Sequence, residues 1–167
     1  MITIFRADIT TLPVDAIVNA ANSDLAGGRG VDGAVHAAAG PELAAELRRY
    51  SGCATGSAVI TRGHRLPAQF VIHAVGPVWR GGAHGEADLL ARAYETSFTL
   101  ARDQGAIRTI AFAAISTGVY GFPKAPAAEI ALTAMLAHEG EFDEITACLF
   151  DEQSVELYRE TLERLSA

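Results

Sequence analysis

Short apolar segments alternate with amphipathic ones along the whole chain, and this alternation most limits the folds open to it. The segments with the length and β-branched content of strands are 2–6, 15–20, 57–62, 70–75, 108–115 and 144–150. Helical patterns lie at 33–39, 41–52, 86–104, from Pro123 to about Gly140, and after a cap at Asp151 or Ser154. This order predicts a three-layer α/β/α sandwich around a central mixed, mostly parallel sheet. Adjacent strands near the N-terminus leave room for some antiparallel pairing.

Length and charge exclude several classes of protein. The chain has 167 residues, which suits one domain spanning 1–167. Its formal net charge is −7 and it contains no run of Lys and Arg, so we do not expect it to bind nucleic-acid grooves. The longest uncharged apolar run, 109–117, is far shorter than the about 20 residues that cross a bilayer. We therefore expect no contact with a membrane. The length of the chain and the lack of an apolar patch pattern predict a monomer.

The cysteines and histidines show no pattern typical of metal ligands. Cys53 and Cys148 form no CxxC pair, and the five histidines form no HxxxH or HxH pattern. The sequence therefore predicts neither a protein-built metal site nor a cofactor. Cysteines of this kind favour a reduced compartment, and no signal peptide is predicted because Arg6 and Asp8 interrupt the N-terminal segment. We expect a cytoplasmic location.

Residues 18–40, VNAANSDLAGGRGVDGAVHAAAG, consist mainly of small residues but carry polar side chains. The polar residues of interest are Asn19, Asn22, Asp32 and His36. Residues 28–33 match G-x-G-x-x-G, but residues 21–27 separate them from the preceding strand and no acidic residue stands about 20 positions later. A dinucleotide site of the Rossmann type is therefore not predicted. The glycines still allow the backbone to approach a ligand and to turn N–H groups toward an anion.

A second loop of this kind, STGVYG at 116–121, follows the buried strand 108–115. In open α/β sheets, ligands bind outside the carboxyl ends of the strands. Two such loops can hold a diphosphate between their backbone amides, which need no net positive charge on the protein. An anionic ligand is thus compatible with an acidic chain.

Five segments resemble the macrodomain family, in particular its hydrolase branch, which includes the MacroD-type enzymes. The segments are Asp8-Ile9-Thr10, AIVNAAN (16–22), GVDGAVHAAAG (30–40), LPAQFVIHAVGP (66–77) and ISTGVYGFP (115–123). Their order and spacing agree with the family over nearly the whole chain. The resemblance implies a domain that binds ADP-ribose. It also implies partners and substrates, namely ADP-ribosylated proteins and O-acetyl-ADP-ribose, from which the hydrolase branch releases ADP-ribose.

The resemblance assigns ligand contacts residue by residue. Asp8 would accept a hydrogen bond from the adenine amino group, the Ile9 amide would lie beside it, and Phe150 would pack on the adenine. Gly30 and Val31 would form the first phosphate loop. The remaining contacts fall on Ala20 and on the second phosphate loop, where Tyr120 would face the distal ribose: Ser116, Thr117, Gly118, Val119 and Tyr120.

The resemblance also assigns the chemistry to three residues. Asn22 would hold the hydroxyls of the distal ribose, Asp32 would be the catalytic carboxylate, and His36 would steady the loop or the carboxylate. A carboxylate that accepts a proton from water, or fixes its position, typically contributes about 10²–10⁴-fold to a rate. The bound diphosphate could help to hold the water, and no metal or nucleophilic cysteine is required.

Each of these residues also has a purely structural explanation. Asn22 could satisfy backbone groups of its loop, Asp32 could be the N-cap of a helix at 33–39, and Asp8 could cap a turn. His36 could be a packed histidine, as we expect for His73 inside its strand. Tyr120 could be an ordinary loop aromatic.

Two other functions remain open, and one more is disfavoured. A non-catalytic reader would bind ADP-ribose without turnover, and a phosphatase would act on ADP-ribose-1″-phosphate. An NAD-dependent oxidoreductase is disfavoured by the context of the glycine pattern.

The chain departs from the family at Ala7, Arg29, Ser57 and Ala113. Of these, Arg29 interrupts a run that is usually made of glycines.

Overall fold

The computed structural model describes residues 1–167 and contains one sheet flanked by helices. The strands are β1 (Ile2–Arg6), β2 (Ala16–Ala20), β3 (Ala58–Arg62), β4 (Phe70–Ala74), β5 (Thr109–Phe112) and β6 (Glu144–Leu149). The helices are α1 (Gly30–Ala39), α2 (Pro41–Leu47), α3 (Glu86–Gln104), α4 (Lys124–His138) and α5 (Glu152–Ser166). Two 3₁₀ turns lie at Ile9–Thr11 and Glu139–Glu141. No helix has both the length and the hydropathy needed to cross a bilayer.

The sheet has the strand order β1-β6-β5-β2-β4-β3. The first five strands in this order are mutually parallel, and the edge strand β3 alone runs antiparallel, beside β4. The expectation of a mixed, mostly parallel sheet is therefore confirmed. The antiparallel pairing that the sequence allows near the N-terminus is not formed, because two strands separate β1 from β2 and each has parallel neighbours only.

The alternation of side chains along the strands produces two cores, one on each face of the sheet. In β2, Val18 faces the core formed with α3, α4 and α5, whereas Ile17 faces the core formed with α1 and α2. Both residues are fully buried. The helices thus form two outer layers around the sheet, and the predicted three-layer architecture is confirmed.

Several element ends differ from the prediction. α1 begins at Gly30 rather than at 33, so the expected first phosphate loop is the first turn of this helix. β5 ends at Phe112 rather than 115, since Phe112 is its last residue in register with β2 and β6. β2 and α2 are shorter as well, and the chain leaves α2 after Leu47. Asp151, not Ser154, caps α5 by accepting a hydrogen bond from the Ser154 N–H.

Candidate functional site

A cleft runs along the edge of the sheet where the five parallel strands end. It consists of a large cavity of about 790 Å³ and a small cavity of about 170 Å³. The two cavities meet at the centre of the cleft, where four residues line both of them: Gly30, Val31, Ala114 and Gly118. The first turn of α1 and the loop after β5 therefore face each other across the middle of the cleft.

The large cavity lies beyond the ends of β1 and β6. Asp8 and Ile9 line one part of it, and the Phe150 side chain, 84% exposed, stands at its rim. Arg6 Nε donates to the Phe150 carbonyl oxygen at 3.1 Å and so fixes the backbone that carries this ring. The cavity thus combines an exposed aromatic ring with a carboxylate.

Asp8 caps the 3₁₀ turn at Ile9–Thr11, as its structural explanation predicts. Its Oδ1 accepts hydrogen bonds from the Thr10 N–H at 3.0 Å and from Thr10 Oγ1 at 2.7 Å. Both bonds fall on the same carboxylate oxygen, so Oδ2 is available to a donor in the cavity. Cys148 also lines this cavity, but burial and the nearby Asp8 charge raise the pKa of its thiol to about 11. This thiol is therefore a poor nucleophile at neutral pH.

The small cavity lies beyond the ends of β2 and β4 and contains Asn22, Asp32 and Tyr120. Asn22 Nδ2 donates to the Gly27 carbonyl oxygen at 2.9 Å, so the amide does satisfy its own loop. A Cβ on Gly28 would lie 3.1 Å from Asn22 Nδ2 and 3.2 Å from Asp32 Oδ2. The backbone of Gly28 therefore packs against both side chains at once.

Asp32 is buried in the first turn of α1, and the expectation that it is an N-cap is wrong. The N-cap residue is Arg29, whose side chain makes no capping bond, because the helix starts two residues before Asp32. Asp32 Oδ1 accepts from Asn19 Nδ2 at 2.7 Å, whereas its buried Oδ2 has no partner. Burial raises the pKa of Asp32, against the opposing effects of Asn19 and His36.

His36 lies behind the carboxylate rather than in the cleft. Its Nε2 is 3.5 Å from Asp32 Oδ1, one helical turn away, and its side chain is only 16% exposed. It lines neither cavity. His36 can thus steady Asp32, as the resemblance implies, but its place gives it no direct access to a ligand.

The loop after β5 has a strained conformation. Ser116 has a φ of 67°, a value that residues with a side chain seldom adopt, and its buried Oγ has no partner. A Cβ on Gly76 would lie 2.1 Å from this Oγ, so only glycine fits beside it. Thr117, Gly118 and Val119 follow, and the Val119 side chain projects into solvent.

Residues 78–85, VWRGGAHG, contain three glycines, a composition that predicts a flexible loop, but one carboxylate orders them. Glu86 accepts hydrogen bonds from the N–H groups of Arg80, Gly82 and His84 at 2.6–2.9 Å. Burial alone would raise the pKa of Glu86, but these bonds lower it to about 2. In the same segment, the Trp79 N–H donates to the Tyr120 carbonyl oxygen at 2.8 Å. The ordered segment therefore supports the loop that carries Tyr120.

Comparison with known proteins agrees with this geometry. The family model described as Macro domain matches residues 18–131, well over half of the chain. The chain belongs to the macrodomain family. The macro domain-containing protein CT2219 of Chlorobaculum tepidum is 55% identical over 160 residues, covering 94% of this chain and 92% of the relative.

Two further relatives carry chemical information in their names. The O-acetyl-ADP-ribose deacetylase of Citrobacter rodentium is 52% identical to this macrodomain over 166 residues, covering 95% of this chain and 93% of the relative. The structure of the Oceanobacillus iheyensis macrodomain with ADP has a TM-score of 0.90 and 41% identity, covering 98% and 90% of the two chains. The family resemblance predicted from the sequence is thus confirmed.

The macrodomain brings the predicted ligand residues together around one cleft, apart from His36. Three further polar residues, which sequence reasoning did not assign to the site, lie beneath it: Asn19, Thr61 and His73. His73 is fully buried, as expected for a structural histidine, but it contacts both Asn19 and Thr61. The sequence alone shows that each of these polar residues stands within an apolar strand. The contact itself depends on which strands are neighbours, which the sequence pattern does not reveal.

Proposed function

We propose that this macrodomain binds ADP-ribose and hydrolyses esters of its distal ribose. The substrates are mono-ADP-ribosylated Asp and Glu side chains of proteins and O-acetyl-ADP-ribose. The observation that carries the proposal is the buried, unpartnered Asp32 Oδ2 next to Asn22 and the Gly28 backbone. A buried carboxylate oxygen without a donor is unfavourable unless a ligand or water supplies one.

The shape of the cleft supports a ligand with two ends and an anionic centre. The large cavity has the size and the aromatic rim for an adenosine, with Asp8 Oδ2 available to an amino group. At the centre, the first turn of α1 provides free N–H groups at the positive end of a ten-residue helix, which favours phosphate. The similar macrodomain structure that contains ADP supports an adenine nucleotide as the ligand.

The small cavity then receives the distal ribose and its ester. One N–H of Asn22 is used by the Gly27 carbonyl, so its other N–H and its Oδ1 can hold the ribose hydroxyls. Asp32 Oδ2 positions a water molecule and accepts its proton as the water oxygen attacks the ester carbonyl carbon. The bond between that carbon and the ribose oxygen then breaks, and the ribose oxygen takes up a proton. The products are a free carboxylic acid and ADP-ribose.

The decisive experiment measures release of ADP-ribose from a Glu-linked mono-ADP-ribosylated protein and of acetate from O-acetyl-ADP-ribose. We expect the Asp32→Ala variant to lose about 10²–10⁴-fold in rate, the usual contribution of a general base. Its affinity for ADP-ribose, measured by calorimetry, should remain close to that of the wild type. Asn22→Ala should weaken both turnover and binding, because it removes contacts to the ribose itself.

Asp88→Ala is the matched control, because Asp88 lies exposed on α3 and lines neither cavity. It should keep the wild-type rate. Wild-type binding without release would contradict the hydrolase and identify a reader. Release of phosphate from ADP-ribose-1″-phosphate, without release from the acyl esters, would identify a phosphatase instead.

A further inference from the structure

Three buried polar side chains cross three neighbouring strands beneath the cleft. Asn19 of β2 is in register with His73 of β4, and Thr61 of β3 lies diagonally across from His73. All three are at most 2% exposed, on the face of the sheet that α1 and α2 cover with apolar side chains. Polar groups in such a layer are costly unless each finds a partner.

The hydrogen atoms of this row can be assigned from one end to the other. Ionised Asp32 can only accept, so Asn19 Nδ2 donates one hydrogen to Asp32 Oδ1 at 2.7 Å. The second Nδ2 hydrogen points to His73 Nδ1 at 3.4 Å, which makes Nδ1 the acceptor. His73 Nε2 then carries the proton and donates to Thr61 Oγ1 at 3.0 Å. The Thr61 hydroxyl donates in turn to the Arg62 carbonyl oxygen at 3.1 Å, and only Asn19 Oδ1 of this row stays without a partner.

The orientation of the Asn19 amide follows from this assignment. In the reverse orientation, Asn19 Oδ1 would face both Asp32 Oδ1 and His73 Nδ1, and three acceptors would meet without a hydrogen between them. The amide therefore keeps Nδ2 toward the carboxylate. Burial, reinforced by nearby His36, lowers the pKa of His73 to about 3, so the ring stays neutral near neutral pH.

We propose that Thr61, His73 and Asn19 act as positioning residues that fix the rotation of the Asp32 carboxylate. The row holds Oδ1 on the sheet side and so leaves Oδ2 beside Gly28 and Asn22 for the attacking water. This inference rests on the proposed hydrolase function, which gives Asp32 its task. It assigns a role in turnover to a threonine on the edge strand, two strands away from β2.

The matched pair Thr61→Val and Thr61→Ser tests the proposal. Valine keeps the shape of threonine but removes the acceptor of His73 Nε2–H, so the ring becomes free to move its proton to Nδ1 and to turn the Asn19 amide. We expect Thr61→Val to lower kcat by about 10- to 100-fold, as misplacement of a catalytic group does. KM and the affinity for ADP-ribose should stay unchanged. Thr61→Ser restores the hydroxyl and should restore kcat.

A second measurement tests the hydrogen-bonded row of Thr61, His73 and Asn19 without relying on turnover. The ¹⁵N chemical shifts of His73 should report the Nε2–H tautomer in the wild type and in Thr61→Ser. In Thr61→Val they should report a mixture of tautomers or the Nδ1–H form. A wild-type ring in the Nδ1–H form would overturn the proposal.

The kinetic outcomes separate the two proposals. If the wild type hydrolyses its ester and Thr61→Val keeps the wild-type kcat, the positioning role is wrong while the hydrolase stands. If Thr61→Ser loses as much kcat as Thr61→Val, the loss comes from packing and the positioning role is again wrong. A wild type that releases no ADP-ribose would remove the hydrolase function, and with it the task assigned to the row.

Discussion

The Asp32 carboxylate is subject to opposing influences. The first turn of a helix favours negative charge, as do the hydrogen bond from Asn19 and the neighbouring His36. Burial has the opposite effect and is the largest, so the pKa of Asp32 is raised. A carboxylate with a raised pKa is a stronger base than an exposed one and accepts a proton from water more readily. In the proposed hydrolase, this arrangement favours proton transfer at the expense of the charged group's own stability.

We expect the rate of ester hydrolysis to fall as pH decreases, starting above the ordinary pKa of an aspartate, 3.8. Only ionised Asp32 can accept the proton of water, and burial makes it take up a proton at a higher pH than an exposed aspartate does. The measurement is kcat/KM for O-acetyl-ADP-ribose over a range of pH, with the affinity for ADP-ribose followed in parallel. A rate that stays constant down to the ordinary pKa would contradict this role.

At the level of single residues, the sequence predicts the part of the site that resembles the family. Asp32 and Asn22 were identified in this way, and both lie in the small cavity. The partner of Asp32 was not predicted, because Asn19 reaches it only after β2 and α1 pack together. His73 was correctly expected to be buried, but its alignment with Asn19 depends on the register between β2 and β4.

Among the elements, α1 packs closely against the backbone of the loop before it. A Cβ on Gly33 would lie 2.5 Å from the Gly28 carbonyl oxygen, so the helix must present a glycine there. This contact places the Gly28 backbone against Asn22 and Asp32. The glycines of this segment therefore serve the packing of helix against loop as well as access to the ligand.

The Gly33→Ala substitution should displace the loop around Gly28. Alanine would normally stabilise a helix by about 1 kcal/mol relative to glycine, but here its methyl group collides with a carbonyl. We expect a lower thermal midpoint and a loss of hydrolysis of about tenfold or more, because in the proposed hydrolase the loop positions Asn22 and Asp32. The control is Gly140→Ala, whose added Cβ would meet nothing within 4 Å. A Gly33→Ala variant with the wild-type midpoint and rate would show that the contact is unimportant.

The strands and helices themselves were predicted within a few residues, because their apolar periodicity is strong. The errors lie where a single side chain or a backbone turn decides the structure. The segment 78–85 reads as flexible from its glycines, yet Glu86 orders it through three backbone N–H groups. Likewise, the start of α1 at Gly30 could not be located from a capping residue, since Arg29 makes no capping bond.

At the scale of the whole molecule, His138 joins two outer helices on the face away from α1. Its ring stacks on Phe98 of α3 at a centroid distance of 4.4 Å. Its Nε2 lies 2.7 Å from Glu95 Oε2, and its Nδ1 is bonded to Glu141. Burial opposes the charged form of this histidine, but the two carboxylates outweigh it and raise the pKa of His138.

This pair of contacts should make stability depend on pH. Folding raises the pKa of His138, so the charged histidine stabilises the folded state. This stabilisation is fully present below the unfolded pKa of 6.5 and is lost as pH rises through the folded pKa. We expect His138→Gln to lower the thermal midpoint more at about pH 6 than at about pH 9, two values on either side of a histidine's usual range. His84→Gln is the control, since His84 is exposed. Equal losses at both pH values would contradict the prediction.

The direction of the strands also determines where residues 1 and 167 lie. Every parallel strand runs toward the cleft, so β1 starts at the opposite edge, where the Met1 amino group is 3.5 Å from Glu139. α5 starts beside the large cavity, and its 15 residues lead about 22 Å away at a rise of 1.5 Å each. An affinity tag, a fused domain or a solid support attached at either end would leave the cleft open. The macrodomain can therefore be fused or immobilised through either residue, for example as a capture reagent.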